Sequence, residues 1–316
     1  MNSALLFAQQ DQTNRVDLTK QKWFGNAICY SGYREGQNPD SSVYPTQAQI
    51  LEDTKILEKR WTLIRTFGSD QHSQDILEVI HRKKIHLSVM LGAWLSAEPG
   101  NEATNAKQIA QCIELANKYK DIVVAVSVGN EILVDWSNHK LPEAKVIQYV
   151  KQVKAAVSVP VTVDDDFMFW LNHGTNLAKE VDFISMHVYP MWAKHDIDSG
   201  FVITKRIYEE VKAKFPGKAV HIGEAGWASY SVGPLHAPRV GDEVKQKRYF
   251  DEVNAWAQKD SLTIFFFEAF DEPWKGTGTE GHWGLFSVGR KAKLVMHEWY
   301  PELVSSEPTS PSYDEK

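Results

Sequence analysis

The stretch VSVGNEILVDW, residues 126–136, decides how the chain is read. Its first half is apolar and β-branched, the composition of a strand buried on both faces, and it stops on a glycine, an amide and a carboxylic acid. A strand with no polar face that delivers Asn130 and Glu131 together at its end fits a parallel sheet whose strand ends carry chemistry.

Comparable runs recur along the chain. Strands are expected over 24–31, 62–67, 86–91, 122–128, 160–163, 183–187, 219–224 and 263–268. Helical periodicity fills the intervals 46–60, 73–83, 103–120, 142–156, 200–215 and 242–259. In the first of these, Ile50, Leu51, Thr54, Leu57 and Glu58 fall one turn apart behind Pro45. Eight such alternations predict a single-domain (β/α)8 TIM barrel over 23–303, with an N-terminal extension over 1–22 and a disordered tail over 304–316. No GxGxxG follows the first strand, so a dinucleotide-binding doubly wound sheet loses its main support.

Composition narrows the partners. The 316 residues are 43% hydrophobic and 11% aromatic, enough to bury a large core without staples. A formal charge of −6 with evenly mixed signs argues against nucleic acid or an anionic membrane, and no run is long enough for a membrane span. Cys29 and Cys112 have no zinc spacing; Cys112 reads as a small core residue, and their pairing is left open. The start, MNSALLFAQQ, is too short in apolar residues for a complete signal peptide and fits a trimmed remnant of one.

A barrel should collect polar chemistry where its strands end. The ends read CYSGYR, RTFGSD, GNE, DDD, HVYP, GEAGW and EAFDEPW, which bring two glutamates, an arginine, a histidine and many aromatic rings to one face. Glu131 and Glu224 end the fourth and seventh strands and so face one another across the mouth. Paired carboxylates in an aromatic cleft are what glycosidic cleavage requires: an acid for the leaving oxygen, and a nucleophile or base at the sugar carbon.

The motifs GNE, HVYPMW, GEAGWAS and FFFEAFDEPWKGTGTEGHWGLF carry a resemblance to the retaining glycosidases of clan A, and within them to glycoside hydrolase family 17, the β-1,3-glucanases and β-1,3-glucanosyltransferases. The resemblance runs from Phe24 to Tyr300 in the expected order. It implies Glu131 as acid/base, Glu224 as nucleophile, and retention of configuration with the carboxyl groups about 5 to 5.5 Å apart. At an effective dielectric of about 20, two charges that close repel by about 3 kcal/mol, which favours a protonated Glu131 beside an ionised Glu224.

Around this pair, Arg65 is expected to donate to Glu224 or to serve as a structural ion pair, and the resemblance places Asn130 against the sugar 2-hydroxyl. Tyr189 is a second candidate donor to Glu224, His187 is either a ligand-facing or a packed residue, and Tyr30 resembles a family tyrosine at the reacting sugar. Glu272, Lys275 and Glu280 match a charged set around the family's pair. Trp136, Trp170, Trp192, Trp227, Phe270, Trp274 and Trp283 are candidate sugar platforms, of which two or three are expected to touch glucan. The run Asp164 to Asp166 reads as a polar groove wall in preference to a cation site, so neither metal nor cofactor is expected.

The sequence departs from plant-type members after Trp227, where Ala228 replaces their proline, and in the longer loops over 33–45 and 226–243. The expectation is therefore a monomeric, exported endo-acting β-1,3-glucan hydrolase. Alternatives are a β-1,3-glucanosyltransferase built on the same residues and a noncatalytic glucan-binding barrel.

Overall fold

In the computed structural model, which describes residues 16–98, 100–232 and 241–311, eight parallel strands close into a barrel in chain order. They are β1 (Ala27–Cys29), β2 (Leu63–Arg65), β3 (Ser88–Ala93), β4 (Val123–Asn130), β5 (Val161–Asp166), β6 (Ile184–Val188), β7 (Val220–Ala225) and β8 (Ile264–Phe266). The helices between them are α1 (Gln47–Leu57), α2 (Gln71–Lys83), α3 (Glu102–Lys118), α4 (Glu143–Lys154), α5 (Phe167–Asn172), α6 (Leu177–Glu180), α7 (Ile197–Lys214) and α8 (Glu243–Lys259).

Local chemistry explains where the boundaries moved. Helix α2 starts two residues earlier than its periodicity suggests because the Asp70 carboxylate accepts the His72 and Ser73 backbone N–H groups. Helix α7 begins at Ile197 behind an Asp196 cap, ahead of the expected Gly200. The short α5 was not anticipated: Asp166 caps it through the Met168 N–H, and its FMFWLN sequence is too apolar on all sides to show a period. Strand β5 runs on through Asp164, Asp165 and Asp166, three residues past the expected end at Val163.

The core has two layers. Aliphatic and aromatic side chains fill the space between sheet and helices, while Ala27, Cys29, Leu63, Met90, Ala125, Phe183 and Phe265 pack inside the barrel. Leu18 closes the barrel floor, its carbonyl 2.9 Å from His221 Nε2, and the Gln21 amide bonds both backbone groups of Val220. The part of the expected N-terminal extension that is described is thus a packed plug. The expected tail is likewise tied down over 304–311: Thr309 Oγ1 donates to Glu243 (2.6 Å) and Ser310 Oγ to Ser229 (2.9 Å). The remainder of both segments, and residues 233–240 of the long loop after β7, lie outside the described residues.

Two of the register irregularities lie toward the carboxyl ends of their strands. The β4–β5 pairing shifts between Ser127 and Asn130, and the β6–β7 pairing between Met186 and His187. Past these shifts Asn130 stands opposite Asp164, and His187 opposite Glu224. Such bulges re-aim side chains, and here they turn four polar groups toward one point.

Candidate active site

Glu131 leaves β4 through a sharp turn, with Gly129 at φ +99° and Glu131 itself at φ +50°. Its backbone N–H is held by the Asp164 carbonyl at 2.9 Å, so the backbone at its Cα is fixed before any ligand arrives. Glu224 ends β7 from the opposite side of the mouth, and oxygens of the two carboxyl groups lie within 4.8 Å of each other.

Glu224 is surrounded by donors. Arg65 Nη1 donates to its Oε1 at 2.6 Å and the Tyr189 hydroxyl to its Oε2 at 2.5 Å. Both oxygens therefore accept, which is the role of a carboxylate. Arg65 also donates from Nε to Asp164 (2.6 Å) and from Nη2 to the side-chain amide oxygen Oδ1 of Asn130. Burial works against the guanidinium, but Asp164 and Glu224 hold its charge and raise it well above the usual arginine range. Burial likewise raises Asp164, yet Arg65, His187 and the hydrogen bonds to Ser185 and Ser127 together leave that carboxyl below the ordinary value. Burial and the neighbouring Glu224 keep the Tyr189 phenol protonated, hence a donor.

Glu131 is more open, with its side chain 20% exposed against 5% for Glu224. Its one polar neighbour among these groups is His187, whose Nδ1 is 3.0 Å from Oε1. Glu131, His187 and Glu224 are also the one cluster among the described residues whose donor atoms are close enough to share a cation. The Glu224 oxygens in that cluster already take Arg65 and Tyr189, an arrangement suited to holding a carboxylate in place.

Two arms of a groove meet at this pair. The first, about 550 Å³, is lined by Trp136, Phe167, Met168, Trp192 and Trp283 together with Asp166 and Tyr189. The second, about 390 Å³, is lined by Ser31, Thr66, His72, Asn130, Glu272 and Lys275 beside Trp94 and Trp274. Glu280 and Phe267 line both. Lys275 bridges Glu268 (2.9 Å) and Glu272 (2.7 Å); burial opposes its charge, but the two carboxylates raise it above the usual lysine range.

Several sequence expectations need correction here. Phe270 is only 1% exposed and packs between Tyr30 and Phe286 beneath the Arg290 guanidinium, so it offers no face to a sugar. Trp170 and Trp227 are likewise core residues, the Trp170 indole donating to the Ser185 carbonyl. Tyr30 touches the second arm, but its hydroxyl is spent on Asp53 at 3.2 Å, inside a buried cluster with Arg290. Of the three aspartates only Asp166 reaches the groove; Asp164 turns inward to Arg65, and Asp165 accepts from Leu133 N–H at 2.8 Å. Trp94, Thr66 and His72 line the groove without having been anticipated, and the sole hint was an aromatic residue just past the third strand.

Residues 27–284 match the BtgE/BtgC glycoside hydrolase domain. The chain belongs to that family. Among solved structures it is similar to an endo-laminarinase from Formosa Hel1_33_131, at 27% identity and a TM-score of 0.81 over 92% of each chain. It is also similar to a glycoside hydrolase family 17 β-1,3-glucanosyltransferase from Rhizomucor miehei, at 25% identity and a TM-score of 0.71 over 88% of this chain and 97% of that one. A curated family relative, a probable glucan endo-1,3-beta-glucosidase btgC of Aspergillus fumigatus, is 27% identical over 277 residues. That match takes in 79% of this chain and 39% of the relative, so the chain spans about two fifths of the relative's length. No helix among the described residues is long and apolar enough to cross a membrane.

Proposed function

We propose that this member of the BtgE/BtgC family is a retaining, endo-acting β-1,3-glucan hydrolase of the glycoside hydrolase family 17 type, with Glu224 as nucleophile and Glu131 as acid/base. The observation that carries the reading is the carboxyl pair within 4.8 Å, one member clamped by Arg65 and Tyr189 and the other more open to the groove. A spacing near 5 Å leaves no room for a water between carboxylate and sugar, which favours a covalent intermediate over direct displacement.

In the first step a Glu224 oxygen attacks the anomeric carbon, the bond to the leaving oxygen breaks, and Glu131 gives that oxygen its proton. In the second, Glu131 takes a proton from water as the water oxygen attacks the same carbon and releases Glu224. Arg65 and Tyr189 fix the attacking carboxylate in line, and Asn130, itself held by Arg65, presents its amide to the sugar in the second arm. Because polymeric glucan lies outside the cytoplasm, the enzyme is proposed to act there.

A second reading is supported by the first arm, whose Trp136, Met168 and Trp192 give an acceptor sugar an apolar bed, as transfer to a second glucan chain would need. Time-resolved product analysis on linear β-1,3-glucan separates the two. Shorter oligosaccharides with the β-anomer formed first support the hydrolase, products longer than a defined oligosaccharide support transfer, and no new product of either kind overturns both.

A further inference from the structure

Trp94 sits immediately after β3 and is 41% exposed. Singly exposed aromatic side chains are ordinary on protein surfaces. Trp94 differs because its surroundings immobilise it. Its backbone N–H donates to Gln108 Oε1 at 3.2 Å, an oxygen that also accepts the Ser69 N–H at 2.8 Å. One side of its indole is covered by the His139 ring, with centroids 4.8 Å apart and planes 33° from parallel.

His139 is itself fixed at three points. Its Nε2 meets the Asn130 carbonyl at 2.9 Å, its Nδ1 the Ser137 hydroxyl at 3.2 Å, and its carbonyl accepts the Ala97 N–H at 3.3 Å. The loop after β3 and the loop after β4 are thus joined through one imidazole, which touches both the indole and the peptide preceding Glu131.

The indole lines the same cavity as Glu131 and Glu224. Ser31, Thr66, His72, Asn130, Glu272 and Lys275 line it as well. Hydroxyl, amide, carboxylate and ammonium side chains along one arm make a surface suited to a ligand rich in hydroxyl groups. A β-linked glucopyranose carries its hydroxyls at the ring's edge and C–H bonds on its faces, so it meets such a lining with its edge and an indole with its face.

We propose that Trp94 is a stacking platform for a glucosyl unit of the β-glucan bound in the second arm, and that His139 is the positioning residue that holds it in register with Asn130. The inference rests on the β-1,3-glucan reading above and extends it to chain length: a substrate long enough to cover Trp94 gains affinity that a short one lacks.

The test is kcat/KM for a β-1,3-linked glucose hexamer relative to the trimer, in wild type, Trp94→Ala and Trp94→Phe. The hexamer-to-trimer ratio is expected to fall about tenfold in Trp94→Ala, chiefly through KM, and to recover most of its value in Trp94→Phe, which keeps a ring. A ratio unchanged in Trp94→Ala, whether both substrates are unaffected or both fall alike, overturns the inference while leaving the glucanase reading intact. Wild-type protein inert on both oligosaccharides overturns that reading and this inference with it. Because the side chain is half exposed, folding of the variants is not in question, and matched melting temperatures verify it.

Discussion

The imidazole of His187 meets Glu131 through Nδ1 at 3.0 Å, and the same nitrogen is 3.5 Å from Glu224. The ring has no exposed surface, and burial works against its charge, yet Glu224 and the hydrogen bond to Glu131 raise its pKa to about 9. At neutral pH an imidazolium therefore stands between the two carboxyl groups. It offsets the mutual repulsion that a bare pair at this distance would suffer, about 3 kcal/mol at an effective dielectric of 20.

The first prediction concerns pH. A histidine whose folded pKa is raised contributes stability that is fully present below its ordinary value of 6.5 and is lost as pH rises through about 9. The wild-type melting temperature is expected to fall across that window, and kcat/KM to decline on the same alkaline limb. In His187→Gln, whose amide still donates to Glu131 but does not titrate, the stability decline should flatten. Calorimetry from pH 6 to 9.5 decides the matter, and parallel curves for the two proteins would exclude His187 as the source.

The second prediction follows from the Arg65 fork, which serves Asp164, Glu224 and Asn130 at once. Lysine retains the charge but has no planar set of donors, so Arg65→Lys leaves at least one acceptor unmatched. Asp164 has no exposure, and a buried acceptor that loses its donor costs about 1–3 kcal/mol. We expect a clear loss of melting temperature and a fall of about 100-fold or more in kcat on β-1,3-glucan. Activity within twofold of wild type would show that the fork does not set the geometry of Glu224.

The barrel was legible because strands buried on both faces announce themselves locally, and so was the glutamate pair, since each carboxylate directly ends such a run. What escaped was cross-barrel partnership. Nothing near Asp164 in sequence reveals that Arg65, 99 positions away, neutralises it, so the whole aspartate run read as a groove wall when Asp164 turns inward to Arg65. Trp94 escaped for a different reason. A search for polar groups at strand ends passes over Gly92-Ala93-Trp94, which has none, although a sugar platform needs a flat apolar face. Phe270 failed in the opposite sense: its neighbours Asp271 and Glu272 are at the mouth, but its ring turns away beneath Arg290.

The third prediction is chemical silence of the thiols. Cys29 and Cys112 are both unpaired and fully buried. Burial raises the Cys29 thiol well above its ordinary range and pushes Cys112 up to about 12, so neither is a thiolate at neutral pH. An aromatic disulfide reagent should release no chromophore from the folded protein and two equivalents in denaturant. Rapid modification under native conditions would mean that one of the two sites opens to solvent.

The last prediction returns to the turn that delivers Glu131. At Gly129, φ is +99°, and an added Cβ would lie 2.2 Å from Ile132 Cδ1 and 2.9 Å from Cγ1. Ile132 is itself fully buried, so moving it disturbs the packing around it. Gly129→Ala therefore combines backbone strain of about 1–3 kcal/mol with overpacking of about 1–3 kcal/mol. Relief of either displaces the Asn130 and Glu131 peptides. Gly36 provides the control, since it also has a positive φ, +76°, but a Cβ there meets nothing within 4 Å. Gly36→Ala should show the strain alone, with a small drop in melting temperature and unchanged kcat. Gly129→Ala should lose more stability and at least tenfold in kcat, because a shift of about 1 Å at an acid/base suffices for that loss. Equal effects of the two substitutions on kcat would show that the turn after β4 does not govern the placement of Glu131.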